Sequence, residues 1–138
     1  MKLPTDRSEA ALLRRALLGN AAFSATCGAL IMIFDARISG LMSNLEHHLW
    51  PLGILLLGFS ALLVWFSTRP TVSSASVNAV IAADLAWVAG TVVLLAGWHG
   101  LLTPAGVWIL AAVGLLVFAF AELQWLGLRR LKGVAAQR

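Results

Sequence analysis

Hydrophobic residues do not alternate with polar ones along this chain. They run together in four blocks, 16–34, 49–66, 77–98 and 105–128, separated by short polar connections. At about 1.5 Å per helical residue, each block reaches most or all of the way across a hydrocarbon slab roughly 30 Å thick. The pattern predicts an all-α membrane protein, a four-transmembrane-helix bundle forming a single domain over residues 1–138.

The polar residues between the blocks predict how the helices begin and end. Asp6, followed by Glu9, reads as an acidic helix start ahead of the membrane. Leu12, Leu13, Ala16 and Leu17 then share a face while Arg14 and Arg15 reach for phosphates. Between the first two blocks, Ile38, Leu41, Met42 and Leu45 recur at helical spacing, which predicts a short amphipathic helix lying on the outer membrane surface. Pro51 suits the first turn of the second span, and Arg69 with Pro70 ends it. Ser67 to Ser76 is a plain polar connection. Thr103 is placed to cap the last span, with Pro104 entering it. Ala21, Ala25 and Ala29 in the first span, and Ala82, Ala86 and Gly90 in the third, are spaced for close helix approach.

Composition strengthens the membrane assignment. Hydrophobic residues make up 60% of the chain and charged residues 12%, against about a quarter charged in soluble domains. The net charge of +4 does not mark a nucleic-acid partner, because the basic residues cap the ends of apolar blocks. Of ten Lys and Arg residues, Arg37 alone falls on the side opposite Lys2, Arg7, Arg14, Arg15, Arg69, Arg129, Arg130, Lys132 and Arg138. The positive-inside bias therefore predicts that both termini are cytoplasmic. The tetrad Ser24-Ala25-Thr26-Cys27 lacks the aliphatic residue a lipoprotein signal needs, so the first block is expected to stay as a helix. Cys27, the single cysteine, has no base or basic helper nearby in sequence and reads as a small buried hydrophobe.

Three polar residues interrupt the blocks at one level. Counted inward from the basic boundary, Asn20, Asp84 and Glu122 all lie roughly 8–9 Å deep. An acidic side chain turned to lipid costs on the order of 2.5–3.5 kcal/mol, so Asp84 and Glu122 are expected to face the interior. One reading is structural: Arg15, Arg69 or Arg129 bends inward to pair with an acid, while Asn20 and Gln124 complete a hydrogen-bonded knot. A second is a proton-linked or cation-binding pocket, since two carboxyls in a low-dielectric site hold fewer than two negative charges between them. Trp87, one turn from Asp84, reads as a packing residue, with lining of the same pocket as its alternative role. In a third, the depth count is wrong by a turn and one residue sits among headgroups.

Outside this cluster the sequence offers little chemistry. Glu46, His47, His48 and His99 lie on the outer side, but adjacent histidines on a helix point about 100° apart, and no metal-site spacing is present. They read as headgroup contacts, and no cofactor or metal is expected. Trp50, Trp98 and Trp108 at one interface, with Trp65 and Trp125 at the other, form aromatic belts. A weak internal repeat pairs Asn20-Ala21 with Asn78-Ala79, and Trp65 and Arg69 with Trp125 and Arg129, as a parallel duplication. There is no nucleophile with a base, no zinc motif and no nucleotide loop, so an enzyme is not expected.

The Arg14-Arg15 start, Asn20, the run Ala83-Asp84-Leu85-Ala86-Trp87 and the closing run Gln124-Trp125-Leu126-Gly127-Leu128-Arg129-Arg130 resemble small bacterial four-span inner-membrane proteins of unestablished function. The likeness covers the whole chain by order and composition. It implies the fold and the bacterial inner membrane as location, and no activity. Small multidrug exporters share the size and span number but depend on a glutamate in the first span, where this chain has Asn20. The expected function is binding, assembly or accessory action, with the lipid bilayer, a second copy or another membrane protein as partner. The alternative is a small proton-coupled or cation transporter using Asp84 and Glu122.

Overall fold

The computed structural model describes residues 10–43, 48–71 and 73–136, with backbone alone at 10 and 134–136. Four helices make up nearly all of it: α1 (Ala10–Met42), α2 (Trp50–Thr68), α3 (Ser74–Gly97) and α4 (Pro104–Ala136). One 3-10 turn, His99–Leu101, joins α3 to α4. All four helices are long and apolar enough to cross a membrane. The expected start at Asp6 and Glu9, and Lys2, Arg7, Asn44, Leu45, Glu46, His47 and Arg138, lie outside the described residues.

The first helix does not stop with the expected span at Phe34. Phe34 takes a non-helical conformation (φ −121°, ψ 29°), and the chain then turns helically again as far as Met42. This second piece carries the predicted helical spacing. Its packed side differs from the expected one: Ser39 and Ser43 are buried, Ile38 and Met42 are half-buried, and Leu41 is exposed.

Just beyond the break, Asp35 supplies what α2 lacks at its own start. Leu49, the residue before α2, makes no side-chain cap, and Pro51 sits in the first turn. The Leu49 backbone N–H instead donates to Asp35 Oδ1 at 2.6 Å, and His48 Nδ1 lies 2.7 Å from Asp35 Oδ2. A carboxylate from α1 therefore serves the exposed amides of another helix.

Thr103 caps α4 as its position predicts, its hydroxyl oxygen accepting the Gly106 N–H at 2.9 Å. It also fastens α4 to the end of α1, donating its hydroxyl to the Leu41 carbonyl and its N–H to Met42 O at 3.2 Å. The approach is so close that a Cβ on Gly106 would stand 2.0 Å from Met42 O, a position only glycine can occupy.

α1 packs against both α2 and α4, and α3 packs against α4, while α2 and α3 scarcely meet. The bundle is thus an α1–α4 pair flanked by two outer helices. The α1–α2 crossing is tight, since a Cβ on Gly28 would lie 2.9 Å from Gly53 O, and Ser60 Oγ donates to Ala21 O at 2.8 Å. At the basic end, Leu13, Leu17, Leu63, Val77, Val80, Leu128 and Leu131 close into one apolar cluster.

Each helix buries one stripe at three- and four-residue spacing. The stripes are Leu13, Leu17, Asn20 and Ser24 on α1, Gly53, Ser60, Leu63 and Ser67 on α2, Val77, Val80, Asp84 and Thr91 on α3, and Val117, Ala121, Gln124, Leu128 and Leu131 on α4. This spacing is that of helices packed at shallow angles. The interior mixes the leucines and valines of the apolar cluster with small and polar side chains, whereas many of the largest side chains, Leu55, Trp108 and Leu115 among them, point outward. That mixture suits lipid, where burying leucine gains little and leaving a polar group unpaired costs several kcal/mol. Small-residue spacing proves a poor guide to which helices touch. Ala21 is buried, with Ala25 and Ala29 partly so, but Ala82, Ala86 and Gly90 face outward, and a Cβ on Gly90 would meet nothing within 4 Å.

Candidate functional site

Of the three residues counted to one level, Asn20 and Asp84 meet, and Gln124 joins them, giving one acid and two amides. Asp84 projects from the buried stripe of α3 toward the α1–α4 pair and is 3% exposed. Asn20 Nδ2 on α1 donates to Asp84 Oδ2 at 2.8 Å, and Gln124 Nε2 on α4 donates to the same oxygen at 3.1 Å. A carboxylate only accepts, so the amide nitrogens are the ends that must face it. Ser24 Oγ, one turn along α1, donates to Asn20 Oδ1 at 3.4 Å. Three helices are joined through a single oxygen. Asp84 Oδ1 receives no hydrogen bond from the described residues, and Gln124 Oε1 is buried without a partner among them.

Glu122 is not part of this arrangement. It is exposed, because two residues along a helix turn about 200°, and Gln124 occupies the buried stripe with Val117, Ala121, Leu128 and Leu131. The two-carboxyl pocket is therefore corrected to a one-carboxyl site. The charged partners expected for the acid are elsewhere too. Arg15 is exposed, the Arg69 guanidinium stacks 3.8 Å from the centre of the Trp65 ring, and that of Arg129 stacks 4.6 Å from the Trp125 ring. Each stack joins residues four apart near a helix end, as the sequence repeat pairs them. The rest of that repeat has no common environment, since Asn20 is buried and Asn78 exposed. Arg14, not singled out as a partner, donates to the Arg69 carbonyl at 2.9 Å and ties α1 to the end of α2.

Above the apolar cluster, where α2 and α3 scarcely meet, the bundle holds a cavity of about 200 Å³. Asn20, Ser24 and Asp84 form its polar side, and Phe23, Phe59 and Trp87 give it aromatic walls. Leu55, Leu56, Val113 and Val117 complete a mainly apolar lining, with Cys27 on the α1 side. Trp87 lies along this space, and its indole N–H has no acceptor among the described residues. Phe23 and Phe59 were not foreseen. The available signal was periodicity, since Phe23 lies one turn from Asn20 and Cys27 on α1.

At the opposite end, His48 is exposed and paired with Asp35, while His99 lies exposed in the 3-10 turn. Among the described residues no three His, Cys, Asp or Glu side chains gather as a metal site.

These features define a class, a four-helix membrane protein with a polar-sided cavity between its helices. No protein-family model, curated protein or solved structure matches the chain. The site alone carries the functional reading.

Proposed function

We propose that this chain is a multi-pass protein of the bacterial inner membrane that works by binding, as a receptor-like or accessory component, with the Asp84 cavity as its site. The observation that carries the reading is that Asp84, 3% exposed, lines a cavity while keeping one oxygen outside the amide knot. A knot that only fixed helix order would need no open space beside it.

Both termini lie in the cytoplasm, a topology supported by the nine basic residues gathered at that end and by the guanidinium stacks on Trp65 and Trp125. The helical piece after Phe34 lies along the outer surface, and Glu122, one turn before Trp125, reaches the inner headgroups. The two-acid transporter loses its geometric support once Glu122 faces away from Asp84.

The test is reconstitution of the full chain into liposomes. The expected result is no proton or cation flux above that of empty liposomes, together with saturable retention of a small molecule or membrane partner. Flux that Asp84→Asn abolishes would replace the binding role with a carrier.

A further inference from the structure

The cavity presents an acid with no cation against it among the described residues. Its two contacts are neutral amides, and Arg15, Arg69 and Arg129 are exposed or stacked on tryptophan elsewhere. A carboxyl removed from water either takes up a proton or is answered by a positive charge, and the described residues place no cation against this one. A cationic guest would supply the charge that keeps it ionised.

What kind of cation fits follows from the walls. A hard metal ion takes six or more oxygen ligands, or several waters, and an apolar lining offers neither. Three aromatic side chains from three helices, Phe23, Phe59 and Trp87, line the same space as Asp84. Aromatic faces beside a carboxylate suit an ammonium ion carrying apolar substituents, which bulk water hydrates weakly and ring faces attract. A volume of about 200 Å³ accommodates a molecule of roughly ten heavy atoms, larger than an alkali ion and smaller than a phospholipid.

We propose that the cavity binds a small organic ammonium ion, its charged nitrogen against the free oxygen of Asp84 and its apolar body among Phe23, Phe59 and Trp87. This rests on the reading of the cavity as a binding site and adds the charge and class of its ligand. Asn20 and Gln124 act as positioning residues, holding the carboxyl by one oxygen so that the other stays turned to the guest.

The experiment is equilibrium dialysis of the full chain in lipid nanodiscs, with empty nanodiscs as the blank for partition into lipid. The probes are benzyltrimethylammonium and neopentylbenzene, its uncharged carbon isostere. The expected result is saturable binding of the cation at least tenfold tighter than that of the isostere. Asp84→Asn, which keeps an acceptor for both amides, should weaken the cation tenfold or more while leaving the isostere and the helical circular dichroism unchanged. Should that variant fail to fold, Trp87→Leu serves, with a threefold or greater loss expected for the cation alone. Equal binding of the two probes, or undiminished cation binding by the folded variant, overturns the ammonium assignment but leaves a cavity that takes neutral guests. If neither probe binds the wild-type chain, the binding-site reading falls with it.

Discussion

Two aspartates, Asp84 and Asp35, each receive two contacts, and the difference between them shows what a carboxyl can do in this fold. Asp84 takes both on one oxygen, from Asn20 and Gln124 on two other helices, inside the buried stripe. Asp35 spends its two oxygens on two neighbours, the Leu49 N–H and His48, at the start of the next helix. The first leaves one oxygen outside the amide bonds on a residue that lines a cavity, while the second is used up in ending one helix and beginning another. Number of contacts is therefore a poor guide to role; their distribution over the two oxygens separates a site from a cap.

The sharpest way to break the contrast is to remove the buried acceptor. Asp84→Leu orphans the Asn20 and Gln124 N–H groups, and each unsatisfied buried donor costs about 1–3 kcal/mol, although hydrogen bonds between membrane helices average nearer 0.6 kcal/mol. A loss of about 1–3 kcal/mol in detergent unfolding is expected, whereas Asp84→Asn stays within about 1 kcal/mol of wild type because its carbonyl still accepts both bonds. Equal losses from the two substitutions would show that the charge holds the helices together.

Next comes the clamp near Asp35. Gly106→Val drives a side chain into the Met42 carbonyl, which a Cβ would meet at 2.0 Å, and overpacking of this kind costs about 1–3 kcal/mol. Gly90→Val, where nothing lies within 4 Å, is the control and should change stability by less than about 0.5 kcal/mol. Thermal unfolding of the two variants side by side tests whether α1 and α4 are pinned at this end.

Smaller effects are expected at Asp35 itself. Asp35→Ala leaves the Leu49 N–H without its acceptor, so amide hydrogen exchange should quicken in the first turn of α2 and stay unchanged around Asp84. His48→Ala removes an exposed partner and should leave exchange at Leu49 near the wild-type rate, since that bond uses the other oxygen. Faster exchange throughout the bundle would mean that cap and site are one cooperative unit.

How much of this was legible beforehand follows from what lipid does to a sequence. The four helices and the Thr103 cap could be read, because they depend on local signals: block length, polar interruptions and capping residues. That Asn20 and Asp84 could meet was legible as well, from counting inward at a fixed rise per residue. Which way each helix faces was not. In a soluble helix the apolar stripe marks the core, but in α4 both lipid and interior accept apolar residues, so periodicity carries no contrast. Formal charge then favoured Glu122 over Gln124. The spacing of Val117, Ala121, Gln124, Leu128 and Leu131 contained the answer, but only contact with α1 and α3 distinguishes that stripe from its neighbours. Asp35 was missed for another reason, because its partners lie across a turn and no short-range pattern connects them.

The smallest expected effect bears most directly on that facing problem. Glu122 and Asp84 were grouped by depth, yet one is exposed and the other buried. If Glu122 reaches water and headgroups, Glu122→Gln removes a charge from a site that already solvates it, and stability should move by less than about 0.5 kcal/mol. Binding at the Asp84 cavity should not move at all, whereas a carboxyl coupled to that site would shift ligand affinity with its charge. Labelling sharpens the test: a Glu122→Cys variant in a Cys27→Ala background should react with a membrane-impermeant maleimide from the basic side of the bundle. Glu122 and Gln124 differ by two positions in the chain and by half a turn in space, and labelling at 122 beside protection of an introduced cysteine at 124 would measure that half turn directly.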